Sequence, residues 1–350
     1  MYSYIALNTK LRLMSGNLLD KTSYEKLYSA ETADAFFETL NKTESYKKIQ
    51  GGEYSKNNSI SVFCDEFRIK ILSSLSLHCQ SLDTKKFTAA LLKKYEIESL
   101  KKYIYPLAGR LKGSENRNNV ERFSKNMHPV YFSRFRDLAD CASISEAVEK
   151  LKNTEYYFFL SDANIIYEKN KSIFAFETGF DLFYMNNLLL TIEKLNIPDK
   201  KAIFKILSIQ ADLMNILIFY RGRFNYNMPA EQAFSLKSSF KQYKPFTNLI
   251  QLAQTQSVSE YEIIIRTSQY RDILDENGRI DPLNIEAKRM RLTLSMALKS
   301  SSLINYNISL LYSYMLTIDC ELNDIAVLFE NIKVKMKAAE LNRILIRHQL

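Results

Sequence analysis

One ten-residue pattern recurs three times along the chain, and it constrains the architecture more than any other feature of the sequence. The pattern is Leu/Ile-x-x-Thr-x-x-Tyr-x-x-Ile/Leu, and its copies begin at Leu40, Leu151 and Ile264, which are 111 and 113 residues apart. Chance would supply about 0.05 such matches in a chain of this composition. The near-equal spacing predicts three copies of one unit of about 110 residues.

A looser pattern follows each copy, with an acid and then a small polar or acidic residue three positions later. The pairs are Glu96 with Ser99, Asp212 with Asn215, and Glu321 with Asp324. Residues at i and i+3 share one face of a helix. Because general acid/base work needs a second titratable partner and the surroundings are poor in histidine, we interpret them as buried polar pairs that bond a neighbouring helix end.

Glycine and proline are too scarce for a β-rich or Rossmann-type architecture. The chain has 8 glycines and 6 prolines in 350 residues, whereas the turns of those folds depend on both. The segments between polar breaks have helical periodicity. The sequence therefore predicts an all-α fold of three pseudo-repeated helical domains in a quasi-threefold array.

Polar breaks suggest where the three domains meet. Residues 113–119 and residues 221–229 are polar stretches between apolar helical segments. We therefore expect domains over residues 1–115, 116–225 and 226–350, with the first and third able to interleave through the N- and C-terminal helices.

The threonine and tyrosine of the repeated pattern favour a structural role. A threonine hydroxyl can bond the backbone and end one helix, while a tyrosine three residues later packs its ring inward. A functional role at three equivalent points is the alternative.

The residues that usually carry bond chemistry are sparse. The chain has three histidines and four cysteines, with no Cys-x-x-Cys and no His-x-x-x-His, so a metal site of standard spacing has no ligands. Phosphate-binding glycine loops and nucleophile elbows are also absent. We expect no enzyme activity, no cofactor and no metal, and we interpret the cysteines as small buried residues of a reducing compartment.

The sequence carries no recognisable secretory signal or membrane span. Its first residues lack a basic region followed by an apolar one. Residues 300–318 contain no charge, but eight of them are Ser, Thr or Asn, too many polar groups for a bilayer core. We predict a buried helix of a soluble protein there.

The formal net charge of +9 suggests an acidic partner, a nucleic acid or an anionic membrane face, although basic residues also simply solvate helix surfaces. The basic clusters are Arg134/Arg136, Arg221/Arg223, Lys288/Arg289/Arg291 and Lys333/Lys335/Lys337. Arginines beside aromatic residues can bind single-stranded nucleic acid. Protein binding fits a large helical surface better, so a basic helical nucleic-acid-binding protein is the alternative function.

The opening of the chain resembles the C subunit of the bacterial and archaeal V/A-type ATPases, whose counterpart in vacuolar ATPases is the d subunit. In that block an arginine, here Arg12, precedes a Leu-Leu pair, then a Tyr-x-x-Leu element and the first copy of the threonine pattern. A second element, Asp-x-x-Asn-Ile/Leu-x-x-x-x-Arg, is matched by Asp212, Asn215 and Arg221. The similarity covers the whole chain.

Two of the three units depart from the family pattern. Ser99 and Tyr105 stand where the first unit would carry Asn and Arg, and Asp324 and Glu330 take those places in the third unit. The departures leave the fold expectation intact but weaken any residue-level contact map for those two units.

The resemblance implies an all-helical funnel of three similar domains between a rotating central stalk and a membrane rotor ring. The implied function is that of a non-catalytic rotor adaptor for ATP-driven H+ or Na+ transport, or for ATP synthesis. Its implied partners are the stalk components and the ring, without nucleic acid or a homo-oligomer, at the cytoplasmic face of the membrane. The candidate partner-contact or motif positions are Arg12, Asp212, Asn215, Arg221 and Arg223.

Overall fold

The chain is helical throughout the part that the structure describes, which confirms the all-α prediction. The structure is a computed structural model, and it describes residues 4–47, 60–108, 135, 137–138, 141–238, 249–282, 284–302 and 308–348. The α-helices are α1 Ile5–Gly16, α2 Lys21–Tyr28, α3 Ala33–Asn41, α4 Ile60–Ser76, α5 Leu82–Ala108, α6 Ile144–Lys150, α7 Tyr157–Asn170, α8 Phe174–Ile192, α9 Ile197–Tyr220, α10 Ala230–Ser235, α11 Leu249–Gln254, α12 Val258–Arg266, α13 Ile285–Ser302, α14 Ser309–Val334 and α15 Ala338–Ile344. A π-helical turn, Arg221–Asn225, continues α9, and a 3₁₀ helix covers Arg271–Ile273.

Three short helices, α3, α6 and α12, begin in the same way. Thr32, Ser143 and Ser257 each accept a hydrogen bond at the side-chain oxygen from the backbone N–H three residues later. In α6 and α12 the residue that donates this N–H is a glutamate, Glu146 or Glu260. Its carboxylate in turn accepts a hydrogen bond, at 2.9 Å in both helices, from the backbone N–H of the residue that precedes the capping serine. These reciprocal bonds satisfy N–H groups that the first helical turn leaves without partners.

The threonines of the repeated pattern follow the same three helices, between one and four residues after the last helical residue. The hydroxyls of Thr43, Thr154 and Thr267 donate to the carbonyl oxygens three residues earlier, at 2.6, 2.7 and 3.0 Å. These bonds satisfy carbonyl oxygens that the last turn of a helix leaves open. The structural interpretation of the threonine is confirmed in all three copies.

The tyrosine prediction is correct in two copies and wrong by one residue in the other. Tyr46 and Tyr270 are fully buried, at 0% and 1% exposure. In the second copy the buried ring belongs to Tyr156, whereas Tyr157, the residue that the pattern selects, is half-buried. The reason is a tertiary contact, because the Tyr156 hydroxyl reaches a buried carboxylate that Tyr157 does not.

That carboxylate belongs to the second sequence pattern. Glu96, on α5, is 6% exposed and accepts a hydrogen bond from the Tyr156 hydroxyl at 2.7 Å. Its other oxygen accepts from the Lys93 ammonium at 3.0 Å. Glu321, on α14, is fully buried and accepts from the Tyr46 hydroxyl at 2.7 Å. The two sequence patterns thus meet, since the acid of one copy bonds a tyrosine of another.

The chain divides into two compact units, which are discontinuous in sequence. Unit 1 consists of Met1–Lys85, Leu195–Ile206 and Gln269–Leu350, and unit 2 consists of Lys86–Lys194 and Leu207–Ser268. Helices α5 and α9 therefore each contribute residues to both units. The division at 115/116 falls outside the described residues, and the three-domain funnel stays a prediction.

Each unit has a core of its own. In unit 2, α5, α6, α7 and α8 bury a cluster that includes Leu100, Val148 and Phe180. In unit 1, Phe36 and Phe37 of α3 pack edge-on or tilted against Phe329 of α14, with ring centroids 5.3 and 5.4 Å apart. Aromatic pairs at such distances stabilise a core beyond the area that they bury.

Residues 300–318 do not form the single helix that the sequence suggested. Residues 300–302 end α13 and residues 309–318 open α14, while residues 303–307 lie outside the described part. The helix that is long and apolar enough to cross a membrane is Ile197–Asn225, the only such helix among the residues described. Because 78% of its most apolar window is buried inside the protein, we interpret it as a core helix.

We expect Tyr156→Phe to lower the free energy of unfolding by about 1–3 kcal/mol, because the buried Glu96 carboxylate loses its hydroxyl donor. The matched control is Tyr157→Phe, since the Tyr157 hydroxyl makes only a 3.4 Å contact with the exposed Glu149. The control should change stability by less than about 0.5 kcal/mol. Urea unfolding of both variants measures the difference, and equal losses would contradict the assignment of Tyr156.

Candidate functional site

Four of the five candidate positions lie in unit 2, on α9 and the π-helical turn that continues it. Asp212 and Asn215 lie on α9, and Arg221 and Arg223 lie in the π turn. Arg12 lies on α1 of unit 1, with an exposed side chain. Single π turns inside helices occur often at functional sites, so this segment is the strongest candidate that the sequence selected.

The backbone of the π turn packs against neighbouring side chains at Gly222. A Cβ atom added at Gly222 would lie 3.4 Å from the Cβ of Ala233 and 3.5 Å from the ring of Phe174. The backbone N–H of Met228 donates to the Gly222 carbonyl at 2.8 Å, and Asn227 between them has a φ of 50°. Asparagine tolerates this left-handed conformation better than most residues do.

Asp212 and Asn215 are interior residues. Both are 1% exposed. The Asn215 side-chain oxygen accepts a hydrogen bond at 2.7 Å from the backbone N–H of Ser238, which follows α10. Asn215 therefore holds a neighbouring segment of backbone, as we expected for these polar pairs, and neither side chain is accessible to a partner.

Arg223 bonds the backbone of its own unit. Its two terminal nitrogens donate to the carbonyl oxygens of Met228 at 2.6 Å and of Thr255 at 3.2 Å. The guanidinium thus joins the loop after the π turn to the end of α11. A half-buried arginine that satisfies two carbonyl groups contributes to stability, because charged donors make the stronger hydrogen bonds.

Arg221 has the same intermediate class of exposure as Arg223, and its charge acts on a neighbouring tyrosine. It is the first residue of the π turn and is half-exposed. Its positive charge acts on Tyr226, whose pKa is raised first by burial and then by the Glu177 carboxylate, while Arg221 opposes that rise.

Aromatic rings surround the π turn. Tyr220, Phe224 and Tyr261 lie with ring centroids 5.6–5.8 Å apart, and Phe174 stacks on Tyr226 at 4.7 Å. The Tyr261 hydroxyl donates to the Ile216 carbonyl at 2.5 Å, and Tyr261 is fully buried. These contacts pack the backbone of the π turn, which carries Arg221 and Arg223, against the body of unit 2.

The main feature that the sequence analysis missed is the attachment of the C-terminal segment in unit 1. Asp324 accepts hydrogen bonds from the backbone N–H groups of Ile346 and Arg347 at 2.7 and 2.8 Å, and from the Tyr24 hydroxyl at 2.9 Å. Arg347 also forms an ion pair with Glu321, which is fully buried. The acids of the third copy therefore bind the C-terminal segment to the N-terminal helices.

Two groups in this region have pKa values that are shifted in opposite directions. Burial raises the pKa of Asp324 from 3.8 to about 6, although backbone hydrogen bonds and the Arg291 charge oppose that rise. Burial and the Arg347 charge lower the pKa of His348. His348 packs edge-on against Tyr24 at 4.9 Å, and one of its ring nitrogens lies 3.1 Å from the Leu19 carbonyl oxygen.

Several cations of the basic clusters proposed for nucleic acid make contacts within their own unit. Arg291 donates to the carbonyl oxygens of Asn342 and Leu345, and Lys288 donates to that of Leu274 at 2.6 Å. Arg289 pairs with Glu286 and Lys333 with Glu330. Arg134 and Arg136 lie outside the described residues. Cations engaged in this way do not favour binding to a phosphate backbone.

The described residues offer little for bond chemistry. No group of three or more His, Cys, Asp or Glu side chains among them is placed to hold a metal ion. The four cysteines are free and buried. The feature that stands out is the π turn at the end of α9, which carries two half-exposed arginines packed among aromatic rings.

Comparison with known proteins decides the family. The model of the family described as "ATP synthase (C/AC39) subunit" matches residues 7–344. The chain belongs to this family. The resemblance drawn from Arg12 and from the Asp212 element is therefore confirmed at the level of the family.

Relatives in the family carry the same name in several archaea. The C subunit of the A-type ATP synthase of Methanosarcina barkeri is 24% identical over 313 residues, or 85% of this chain and 79% of that protein. The C subunits of the A-type ATP synthases of Methanobrevibacter smithii and Methanosarcina mazei are 22% and 26% identical over 64% and 63% of this chain. The chain spans 55% and 58% of the length of these two relatives.

We expect the stability of a His348→Gln variant to rise by about 1 kcal/mol as the pH falls from about 7 to about 5. Since the pKa of Asp324 is raised in the folded state, its contribution is present at low pH and is lost as the pH rises through about 6. In the unmodified chain His348 opposes this, because its lowered pKa removes stability as the pH falls below its ordinary value of 6.5.

The control is the double variant His348→Gln/Asp324→Asn, whose stability should vary little over the same pH range. Denaturant unfolding at a series of pH values gives both curves. Parallel curves for the single and the double variant would contradict the assignment to Asp324.

Proposed function

We propose that this chain is the non-catalytic rotor adaptor of a V/A-type ATPase, which couples the rotating central stalk to the membrane rotor ring. The observation that carries the proposal is the family match over residues 7–344. Its relatives are named as the C subunit of A-type ATP synthases. The chain would lie at the cytoplasmic face of the membrane, peripheral to it, within that complex.

The proposed mechanism is passive. ATP hydrolysis elsewhere in the complex turns the stalk, the stalk turns this protein, and the protein turns the ring that moves H+ or Na+; the reverse sequence supports ATP synthesis. Such an adaptor needs a well-packed body and interfaces that do not slip, and it needs no active site. Electrostatic complementarity across an interface fixes its register, so the half-exposed Arg221 and the exposed Arg12 are candidate contacts with the stalk.

The assembly is tested by affinity purification of the tagged chain from native membranes of its source, followed by mass spectrometry. We expect the stalk and ring components of the ATPase to copurify with it. Recovery of nuclease-sensitive nucleic acid without those components would overturn the proposal and favour the nucleic-acid alternative.

A pair of arginine variants separates binding from folding. Arg221→Glu should weaken binding to purified stalk proteins about tenfold or more, because it places a like charge at the interface, while the variant stays folded. Arg223→Ala should instead lower the free energy of unfolding by about 2 kcal/mol, because two carbonyl groups lose a charged donor.

Binding is measured by titration calorimetry and folding by thermal unfolding followed by circular dichroism. The proposed role of Arg221 is wrong if Arg221→Glu unfolds the chain, or if it binds the stalk as tightly as the unmodified protein does. Arg12→Glu extends the same test to unit 1.

A further inference from the structure

Two connections between helices in unit 1 expose aliphatic side chains of unusual accessibility. Leu77 lies in the turn between α4 and α5, and it is 83% exposed. Leu82 and Ile197 are the first residues of α5 and α9, at 65% and 69% exposure. Single exposed aliphatic residues are common on protein surfaces, so their significance depends on what surrounds them.

The two helix starts carry the same sequence pattern. Leu82 is followed by lysines three and four residues later, Lys85 and Lys86, and Ile197 is followed in the same way by Lys200 and Lys201. Residues at i, i+3 and i+4 share one face of a helix. Each helix therefore begins with an exposed aliphatic side chain and presents two lysines on the same face, one turn further on.

One buried tyrosine, Tyr4, links the first turn of α9 to the surroundings of the turn before α5 within unit 1. Tyr4, which precedes α1, donates its hydroxyl proton to the Asp199 carboxylate in the first turn of α9. The same phenol lies within electrostatic range of the Cys79 thiol, in the turn before α5. Asp199 is 1% exposed and also accepts a bond from the backbone N–H of Ile308 at 2.9 Å.

We name these residues of unit 1 the tip patch: Leu77, Leu82, Lys85, Ile197, Lys200 and Lys201. Lys85 and Lys201 are exposed and Lys200 is half-buried. No ion pair involves these three lysines among the described residues. Other exposed lysines of unit 1 do pair with a glutamate one helical turn away, as Lys21, Lys42 and Lys333 do.

The positive charge of the tip patch is therefore not neutralised by an ion pair within the described part of the chain. The helix dipole adds to it, because the N-terminal end of a helix carries a partial positive charge. Cations gathered at the start of a helix do not stabilise that helix. An anionic partner would explain why lysines occupy both of these positions.

We infer that the tip patch docks on an anionic lipid surface, with its aliphatic side chains in the headgroup region and its lysines against the lipid phosphates. The order of the residues along each helix supports a bilayer. The lysines lie about 5 Å behind the aliphatic residue along the axis, at 1.5 Å per residue, and apolar groups of peripheral helices enter the membrane interface to about that depth. Long lysine side chains also reach readily toward headgroups.

The inference stands apart from the stalk contact proposed for Arg221, and it is tested with the full purified chain alone. The probes are vesicles of phosphatidylcholine and vesicles in which about 30% of the lipid is phosphatidylglycerol. In flotation assays we expect binding only to the anionic vesicles, and weaker binding at high salt, because salt screens exposed charges.

The charge requirement is tested by the triple variant Lys85→Gln/Lys200→Gln/Lys201→Gln. Each lysine near an anionic surface adds about fivefold to the partition coefficient, so the triple variant should bind at least about tenfold more weakly. The matched control, Lys21→Gln/Lys42→Gln/Lys333→Gln, changes the net charge of the same unit equally and should bind as the unmodified chain does. An equal loss in both variants would reduce the effect to net charge and would overturn the inference.

Insertion is tested by fluorescence, since the chain has no tryptophan. The Leu77→Trp variant should shift its emission to shorter wavelength with anionic vesicles and should be quenched by brominated lipid. The control is Phe158→Trp, at a residue of unit 2 that is 68% exposed, and its emission should not change. The lipid assignment is wrong if neither tryptophan responds, if neutral vesicles give the same response, or if the patch variant loses only a protein partner in affinity purification.

Discussion

Bonds between tyrosine hydroxyls and buried carboxylates are the interaction on which both units depend. The described residues include three such pairs in unit 1 and one in unit 2: Tyr4 with Asp199, Tyr24 with Asp324, Tyr46 with Glu321, and Tyr156 with Glu96. A carboxylate removed from water is costly unless donors surround it. Burial raises the pKa values of Tyr24 and Tyr46 above the ordinary value for a tyrosine. Both phenols therefore stay protonated and act as hydrogen-bond donors.

The acids also determine which distant parts of the chain must meet. Glu321 accepts bonds from a tyrosine 275 residues away and from the backbone N–H of Leu19, 302 residues away, and it pairs with Arg347. An unsatisfied acid at this position would destabilise the whole unit, so the start and the end of the chain are held against α14. The two units are discontinuous in sequence for the same reason, since a repeat completes its polar bonds with a segment of another repeat.

The sequence was sufficient for the all-α class, for the threonine hydroxyls that bond the backbone just after α3, α6 and α12, and for the family. It could not select Tyr156 over Tyr157, because both follow Thr154 closely and only the position of Glu96 in space distinguishes them. Nor could it show that Asp324 bonds the backbone of residues 346 and 347, since a backbone N–H leaves no trace in the residue types. The N-terminal caps Thr32, Ser143 and Ser257 could have been predicted from the sequence, because their spacing is nearly that of the repeated pattern.

The candidate site shows why residue type alone does not assign a role. Arg223 and Lys85 both carry a positive charge, yet Arg223 donates to two carbonyl groups of its own unit while Lys85 is exposed to solvent. The same reasoning applies to the net charge of +9, because a cation that bonds the interior contributes to folding and not to recognition. Surfaces that bind a partner are therefore to be sought among accessible cations such as Lys85 and Lys201. These lysines lie near the N-terminal ends of their helices, where a positive charge does not stabilise the helix.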